Sequence, residues 1–256
     1  SSVNLVTQRA EPSAVGLDIS TAYRQPDQYR SLSLAGNLSD GSGRHAVRFS
    51  GNYKKADDFV AGNGNRIDNT QYEKLNLNLS YRHRFNSGHT IEANYIKDNA
   101  RNIGYPALLM DATKALADIG QVRFNFEPGE SPFQLNMIQL YANVIRHTMD
   151  DYSRDVANRT VMRGMHMPMY GETLTAGARL NGNGEILGHQ FEWFLDGFQS
   201  EAYGDMEMVS LDPNIEDMFI YNLNDVYTRR FNAGFKHRLP LFDEMLLKLE
   251  QSIGLK

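Results

Sequence analysis

Hydrophobic and polar residues alternate along most of this chain. Residues 75–81, LNLNLSY, place leucines and a tyrosine on one face and asparagines and a serine on the other. The same period of two recurs in residues 32–38, 122–126, 174–180 and 190–198. Successive side chains of a strand point to opposite faces, so this pattern predicts β-strands with one apolar and one more polar face.

About eleven strands follow from the pattern. They are predicted near residues 14–24, 28–39, 43–54, 70–86, 88–99, 118–126, 133–149, 169–181, 185–200, 222–238 and 244–255. Strands of soluble sheets usually have about five or six residues, whereas a tilted strand needs about nine to eleven to cross a bilayer. The predicted lengths therefore favour strands that cross a membrane.

The connections alternate between long and short. The long ones are residues 55–69, 100–117, 150–168 and 201–221, and short ones such as FNSGH, EPGES and NGNGE lie between them. In an antiparallel meander every second connection lies at the same rim, so one rim has turns and the other has long loops. We therefore predict an all-β fold that is an antiparallel up-and-down transmembrane β-barrel portion with long outer loops.

Three local features add detail to this prediction. Residues 106–120, PALLMDATKALADIG, contain good helix formers and predict a helix or an elaborated segment within an outer loop. Asp150 and Asp151 are adjacent and are expected to lie at a solvated edge. The glycine-rich stretches 62–65 and 181–185 are typical of turns.

Composition excludes several classes of function. The net charge of -5 arises from dispersed charges, so no nucleic-acid partner is expected. The absence of cysteine excludes disulfides, thiolate metal sites and thiol catalysis within the chain. No Ser, His and Asp arrangement, phosphate-binding glycine loop or H-E-x-x-H helix is present. We predict that the protein is not an enzyme and requires no cofactor.

One candidate binding motif is His147 and Met149, two residues apart at the end of a predicted strand. They share the polar face with Gln139, Tyr141 and Asn143, near the rim of long loops. The pair is either a polar rim residue beside a packing methionine or half of a site for a soft metal ion. Thioether and imidazole ligands together suit Cu(I).

A second cluster lies in the loop and strand start that follow. It consists of Met162, Met165, His166, Met167 and Met169. Methionine is an adaptable packing residue, so the cluster is either flexible apolar packing or an external loop that collects copper. Met110 is a further possible contact.

These segments resemble a known family. Residues 1–12, SSVNLVTQRAEP, resemble the passage from the plug domain into the barrel of TonB-dependent outer-membrane receptors. Residues 105–112, YPALLMDA, resemble a loop of those receptors. Residues 145–154, IRHTMDDYSR, with the Met-rich stretch and residues 170–180, YGETLTAGARL, resemble the TonB-dependent copper receptor branch.

The resemblance implies that residues 1–12 end the plug and residues 13–256 form the first half of a 22-strand barrel. In the copper branch an H-x-M pair of the barrel and a C-x-x-x-M pair of the plug bind copper together, which gives His147 and Met149 the role of barrel ligands. It also implies a Gram-negative outer membrane with its lipid, a TonB complex that acts through the plug and TonB box, and a metal or metal chelate as the transported ligand. The TonB box and plug are not in this sequence.

Other classes remain open. A siderophore receptor would use arginine and aromatic residues of the loops, such as Tyr152 and Arg154. A passive porin or structural surface protein would have no plug sequence before residue 1. A soluble all-β binding domain would have to expose a very large apolar surface. A half-barrel by itself has two unpaired edges and is expected to self-associate.

Overall fold

The computed structural model describes residues 8–12, 15–129, 131–242 and 245–255. The strands are β1 (Gly16–Arg24), β2 (Tyr29–Ser39), β3 (His45–Ala56), β4 (Phe59–Val60), β5 (Arg66–Ile67), β6 (Tyr72–Arg84), β7 (Thr90–Ile103), β8 (Asp111–Asn125), β9 (Phe133–Asp150), β10 (Met165–His166), β11 (Met169–Ile186), β12 (His189–Ser210), β13 (Met218–Phe242) and β14 (Met245–Leu255). The described part of the chain has no helix, and so none long and apolar enough to cross a membrane. The all-β prediction is confirmed.

Eleven of these strands form one continuous antiparallel sheet. Their order is β1-β2-β3-β6-β7-β8-β9-β11-β12-β13-β14, so each long strand pairs with the next one along the chain. The short strand β10 pairs with β12, and β4 pairs with β5 in a separate hairpin. Within the described residues β1 and β14 each pair on one side only, which leaves the sheet open at both edges.

The meander places the connections at two rims. The turn rim consists of residues 40–44, 85–89, 126–132 and 187–188, and the loop rim consists of residues 25–28, 57–71, 104–110, 151–168 and 211–217. The two longest connections, 57–71 and 151–168, both lie at the loop rim. The predicted asymmetry between the rims is confirmed, although two loops are shorter than predicted.

The helix predicted for residues 106–120 is wrong. Residues 104–110 form a short connection, and β8 begins at Asp111. Each residue from Ala115 to Asn125 pairs with both β7 and β9, so the neighbouring strands supply hydrogen bonds that override the local helix propensity. The predicted loop 201–221 is likewise mostly strand, because β12 continues to Ser210 and β13 begins at Met218.

The turn predicted at residues 181–185 is also wrong. These residues lie inside β11, and the turn is formed instead by Leu187 and Gly188, both with positive φ. A Cβ on Gly182 would lie 2.1 Å from the carbonyl oxygen of Gln134 and 2.4 Å from the ring of Trp193. Gly182 is therefore required for close packing within the sheet. The turn predicted at residues 62–65 is confirmed, since these residues connect β4 and β5.

One face of the sheet carries a band of exposed apolar side chains. Leu140 is 58% exposed, and its ladder partner Val122 on β8 and Leu79 on β6 are exposed as well. Members from other strands are Leu32, Leu34, Leu77 and Leu174. Exposed leucines on consecutive strands are what a lipid-facing surface requires.

Aromatic side chains border this band at both rims. At the turn rim His83 lies 4.5 Å from Phe85, and Phe191 lies 5.4 Å from Phe235, measured between ring centroids. At the loop rim Tyr203 lies 6.2 Å from Tyr221, and Phe219 lies 4.9 Å from Tyr221. Such girdles mark the two membrane interfaces of outer-membrane barrels.

The opposite face, here called the polar wall, is linked by side-chain hydrogen bonds across the strands. Asn94 donates to Ser80 Oγ at 2.6 Å, Gln139 donates to Gln121 Oε1 at 2.8 Å, and Arg179 donates to Asp196 Oδ2 at 3.1 Å. A barrel interior too wide for side chains to fill is polar in this way. The polar wall is therefore the face that a barrel would turn toward its interior.

Candidate functional site

His147 and Met149 lie near the end of β9, just below the loop rim. Both side chains are half-buried. They lie two and four residues beyond Ile145 and therefore on the same face of β9, which is the polar wall. The pairing of β9 with β11 is regular from Met137 to Met149, so the period of two is unbroken along this part of the strand. The predicted placement of the pair on the polar face is confirmed.

The register brings a third candidate residue beside them. Met169, the first residue of β11, pairs directly with Met149. Directly opposed residues share a face, with Cβ atoms about 4.5–5.5 Å apart. Met169 is also half-buried. Two thioethers that are 20 residues apart in sequence thus lie side by side on the polar wall, one step from an imidazole.

The surface beside His147 is unusually free of side chains. Its partner on β8 is Ala115 and its partner on β11 is Gly171. Gly171 in turn pairs with Gly204 on β12. A Cβ on Gly171 would meet only a carbonyl oxygen at 3.8 Å. The residues paired with His147 on both sides therefore carry no side chain larger than a methyl group.

The loop that follows β9 packs around the side chain of Asp151. This side chain is fully buried. Its carboxylate accepts a hydrogen bond from Arg159 Nη1 at 2.7 Å and from the backbone N–H of Met167 at 3.0 Å, and it lies 3.1 Å from His166 Nδ1. The expectation that Asp151 lies at a solvated edge is wrong, because the loop folds back and provides these partners.

The structure divides the Met-rich cluster into two parts. Met165 and His166 form β10, which pairs with Ser210 and Val209 of β12. The carbonyl oxygen of Met165 accepts a hydrogen bond from Arg159, His166 contacts Asp151, and Met167 is only 5% exposed. Met162 lies at the loop surface with a positive φ. Met169 pairs directly with Met149 on the polar wall. The register of β9 and β11 thus brings together three of the sequence candidates, His147, Met149 and Met169.

Arg154 is held by the structure of the loop rim. Its guanidinium donates to Asp111 Oδ2 at 3.0 Å from Nε, to the carbonyl of Leu108 at 3.2 Å and to the carbonyl of Tyr105 at 2.9 Å. The side chain is 16% exposed. Arg154 therefore ties loop 151–168 to loop 104–110, and its donors are used for that contact.

The hairpin of β4 and β5 is fixed to the same rim by Asp58. Its carboxylate accepts hydrogen bonds from Arg66 Nη2 at 2.6 Å and from the backbone N–H of Thr70 at 2.8 Å. Burial by itself would raise the pKa of Asp58, but the hydrogen bonds from Arg66, Thr70 and Gln71 outweigh it, and the pKa is lowered. The loop rim is thus built from interlocked loops.

The segment 8–12 lies against the polar wall. Glu11 and Asn37 exchange two hydrogen bonds, of 3.0 and 2.9 Å. Arg9 forms an ion pair with Glu92 at 3.7 Å, and Arg48 donates to Gln8 at 2.7 Å. Asn37, Arg48 and Glu92 belong to three different strands. Residues 1–7 lie outside the described residues.

The available ligands define the chemistry of the site. Among the described residues no group of three or more His, Cys, Asp and Glu side chains is arranged to hold a metal ion. One imidazole and two thioethers form a soft donor set, which discriminates against hard cations such as Mg²⁺ and Ca²⁺. The arrangement suits a soft ion such as Cu(I).

Sequence reasoning missed the anchors of the loop rim. Asp151 and Arg159 come together only through the course of an irregular loop, and no local pattern signals their contact. The sequence also predicts a loop at residues 201–210, where β12 continues to Ser210. The alternation D-M-E-M of residues 205–208 was the available signal for a strand.

No protein-family model matches the chain, and no curated protein matches it in sequence. Solved structures do match it. The copper transporter OprC superposes with a TM-score of 0.72 at 16% identity, over 96% of this chain. The siderophore receptor PiuA from Acinetobacter baumannii superposes with a TM-score of 0.52 at 12% identity, over 97% of this chain.

Because the sequence identities are low, the structural likeness establishes the fold and nothing beyond it. This chain spans 37% of the length of OprC and 47% of the length of PiuA. The sheet described above therefore has the fold of a portion of a larger β-barrel. The prediction of a barrel portion is confirmed.

Proposed function

We propose that this chain belongs to a TonB-dependent receptor of a Gram-negative outer membrane and takes part in the energised uptake of copper. In this proposal residues 13–256 form the first half of a 22-strand barrel and residues 1–12 lead into it from a plug. The observation that carries the proposal is the register of β9 and β11. It joins His147, Met149 and Met169 on the polar wall at the loop rim.

The barrel portion would supply one side of the copper site. His147 offers an imidazole nitrogen, and Met149 and Met169 offer thioether sulfurs. The remaining ligands would come from a plug that occupies the lumen. The contacts of Arg9 and Glu11 with the polar wall support this arrangement, because they show that the wall accepts a segment of chain from the lumen side.

Release of copper requires a movement of the plug. In this proposal the TonB complex, driven by the proton motive force, pulls the plug and separates its ligands from His147 and Met149. A copper site that is divided between the barrel and the plug loses affinity for copper when the two domains separate, because each domain alone then offers too few ligands to the ion. The loop residues Met165, His166 and Met167 would act as an outer collector once loop 151–168 opens.

Copper retention tests the proposal. The protein is purified from outer membranes in detergent, exposed to Cu(I), washed and analysed for copper. We expect the wild type to retain copper and the double variant His147→Ala, Met149→Ala to lose it. The control is His45→Ala, which removes an exposed imidazole at the turn rim.

The other outcomes have defined meanings. Equal copper in the wild type and the double variant would overturn the assignment of His147 and Met149. Absence of copper from both would overturn copper as the ligand, and the same protein would then be tested with ferric siderophores. Tyr152, which is 59% exposed at the loop rim, is the aromatic residue available to such a chelate.

A further inference from the structure

Five charged side chains form a row across the sheet, on the face opposite to the polar wall. Arg30 on β2 pairs directly with Lys55 on β3, and Lys55 pairs directly with Glu73 on β6. Glu73 pairs directly with Arg101 on β7, which pairs directly with Lys114 on β8. These five residues, here called the charged row, are therefore neighbours across five consecutive strands.

The charged row lies between the apolar band and the loop rim. Residues two apart on a strand share a face, so Arg30 lies on the face of Leu32, which is 51% exposed. By the same period Glu73 lies on the face of Leu77, which is 42% exposed. Each member of the row is among the last four residues at the loop-rim end of its strand. The row therefore occupies the level at which a lipid-facing surface reaches the headgroups.

The register sets like charges against each other at two places in the charged row. Arg30 is directly opposite Lys55, and Arg101 is directly opposite Lys114. Like charges that face each other across a ladder destabilise a sheet. Glu73, between the two pairs, is the only carboxylate of the row, so positive charge is in excess.

Other basic residues of the same face have a carboxylate partner. Lys97 Nζ lies 2.9 Å from Asp118 Oδ1, and Arg146 forms an ion pair with Glu172.

In the described part of the chain the four basic residues of the charged row form no ion pair of this kind. Arg101 donates a hydrogen bond to the uncharged amide of Asn99 at 3.1 Å. The excess positive charge of the row is therefore left for an anion outside the chain.

We propose that the charged row binds the phosphate groups of a glycolipid headgroup in the outer leaflet of the membrane. This inference rests on the proposed function for the membrane orientation, which places the loop rim outside, and it does not depend on copper. Guanidinium and ammonium donors suit phosphate oxygens. The acyl chains of the same lipid would lie over the apolar band below the row.

The spacing of the two like-charged pairs favours a headgroup with two phosphates. The centre of the Arg30–Lys55 pair and the centre of the Arg101–Lys114 pair are three strand spacings apart, which is about 14 Å. A disaccharide that carries one phosphate at each end has a span of this scale. Each pair would then hold one phosphate.

Binding of lipid A, a glycolipid of this kind, tests the charged row. The protein is purified from outer membranes, exchanged into an uncharged detergent and titrated with diphosphoryl or monophosphoryl lipid A. Bound lipid is counted by native mass spectrometry. The two double variants are Arg30→Gln, Lys55→Gln and Arg101→Gln, Lys114→Gln.

The matched control is the double variant Lys54→Gln, Lys74→Gln. Lys54 pairs directly with Lys74, and each is the chain neighbour of a member of the charged row. The control therefore removes two positive charges at the same level of the same strands, but from the polar wall.

We expect the wild type to bind diphosphoryl lipid A more tightly than monophosphoryl lipid A. A basic residue beside an anionic lipid surface contributes about fivefold in affinity, so each double variant should bind on the order of 25-fold less tightly. Each should also lose the preference for the second phosphate, whereas the control keeps both properties. Without lipid the double variants should melt no lower than the wild type, because opposed like charges have been removed.

Three results would overturn the proposal. The first is equal affinity of the wild type and both double variants for diphosphoryl lipid A. The second is an equal loss of affinity in the Lys54, Lys74 control, which would show that net charge and not the charged row attracts the lipid. The third is displacement of lipid A by inorganic phosphate at the same phosphate concentration, which would make the row a site for free phosphate.

Copper retention by the same proteins separates this proposal from the proposed function. We expect the double variants of the charged row to retain copper as the wild type does. Loss of lipid binding with copper retained would concern the row alone. A wild type that binds lipid A and retains no copper would overturn copper uptake and leave the charged row as proposed.

Discussion

Asp151 shows how much of the loop rim depends on single residues. Its carboxylate is fully buried, forms an ion pair with Arg159, contacts His166 and accepts a hydrogen bond from the backbone N–H of Met167. Together with the pairing of β10 with β12 and the contacts of Arg154, this side chain fixes the course of residues 151–168. The positions of Met165, His166 and Met167 are set by the same contacts.

Replacing Asp151 by Ala should release loop 151–168. Removing one partner of a buried ion pair leaves the other charge uncompensated and costs about 3 kcal/mol. Hydrogen exchange of the amides of residues 151–168 should accelerate, by roughly two orders of magnitude if the whole cost falls on the loop. Asp155→Ala, in an exposed part of the same loop, is the control. Unchanged exchange in Asp151→Ala would contradict the anchoring role.

The hairpin of residues 57–71 should depend on pH through Asp58. The pKa of Asp58 is lowered in the folded state. The contribution of Asp58 to the stability of the hairpin is therefore fully present above the ordinary aspartate pKa of about 3.9 and is lost as the pH falls through the lower folded pKa. Amide exchange of residues 57–71, corrected for intrinsic rates, should stay constant from neutral pH down to about 3.9, rise as the pH falls from there to the lower folded pKa, and level off below it.

The variant Asp58→Asn should abolish this rise. Asp68→Asn is the control, since Asp68 is 76% exposed and its change should leave the profile intact. A profile in Asp58→Asn that matches the wild type would show that another group holds the hairpin.

At the residue scale the sequence placed His147 and Met149 correctly, because strand periodicity alone decides the face of a side chain. It could not place Asp151 or Arg154. Their partners, at positions 159 and 111, are reached through irregular backbone. The same limit applies to Met169, whose pairing with Met149 depends on the register of two strands.

At the scale of elements, the β9–β11–β12 portion of the sheet depends on close packing at Gly182. The glycine lies at the irregularity of the β9–β11 ladder, between Asn181 and Gly182, and the ring of Trp193 covers it. A strand bends at such a point, and an aromatic ring from the next strand fills the space that a missing side chain leaves. Glycines in this stretch therefore serve the strand and not a turn.

Replacing Gly182 by Ala should destabilise the sheet by about 1–3 kcal/mol, because the new Cβ would displace the Trp193 ring and the Gln134 backbone. The temperature at which the detergent-purified protein loses its β circular dichroism signal should fall. Gly120→Ala on β8 is the control, since a Cβ there would meet no atom within 4 Å. Equal melting of the two variants would contradict the packing role of Gly182.

The segment 106–120 marks the limit of local propensity. Its alanines and leucines favour a helix in isolation, but from position 115 onward each residue pairs with two neighbouring strands. A strand within a sheet satisfies its backbone groups on both sides, and this gain exceeds a difference of a few tenths of a kcal/mol per residue in helix propensity. The sequence predicted the number of long strands but not their ends.

At the scale of the whole molecule, the chain combines an exposed apolar band with two unpaired sheet edges. Exposed edges pair readily with other strands, and an apolar band of this size is not stable in water. The chain by itself is therefore expected to require detergent, lipid or another copy.

Light scattering of the 256-residue chain after detergent removal tests this expectation. We expect oligomers or aggregates without detergent and detergent-bound protein with it. The charged variant Leu140→Glu, within the apolar band, should bind less detergent. A monodisperse monomer in detergent-free buffer would contradict a membrane-facing band.

The sequence by itself determined the class of fold, the alternation of apolar and polar faces, the difference between the rims and the face on which His147 and Met149 lie. These follow from the period of two and the spacing of strands, which are local properties. Only the tertiary structure decided the strand ends, the anchors of the loops and the pairing of Met149 with Met169. Each depends on which residues of distant strands face each other, and strand register is fixed by the whole sheet rather than by any one segment.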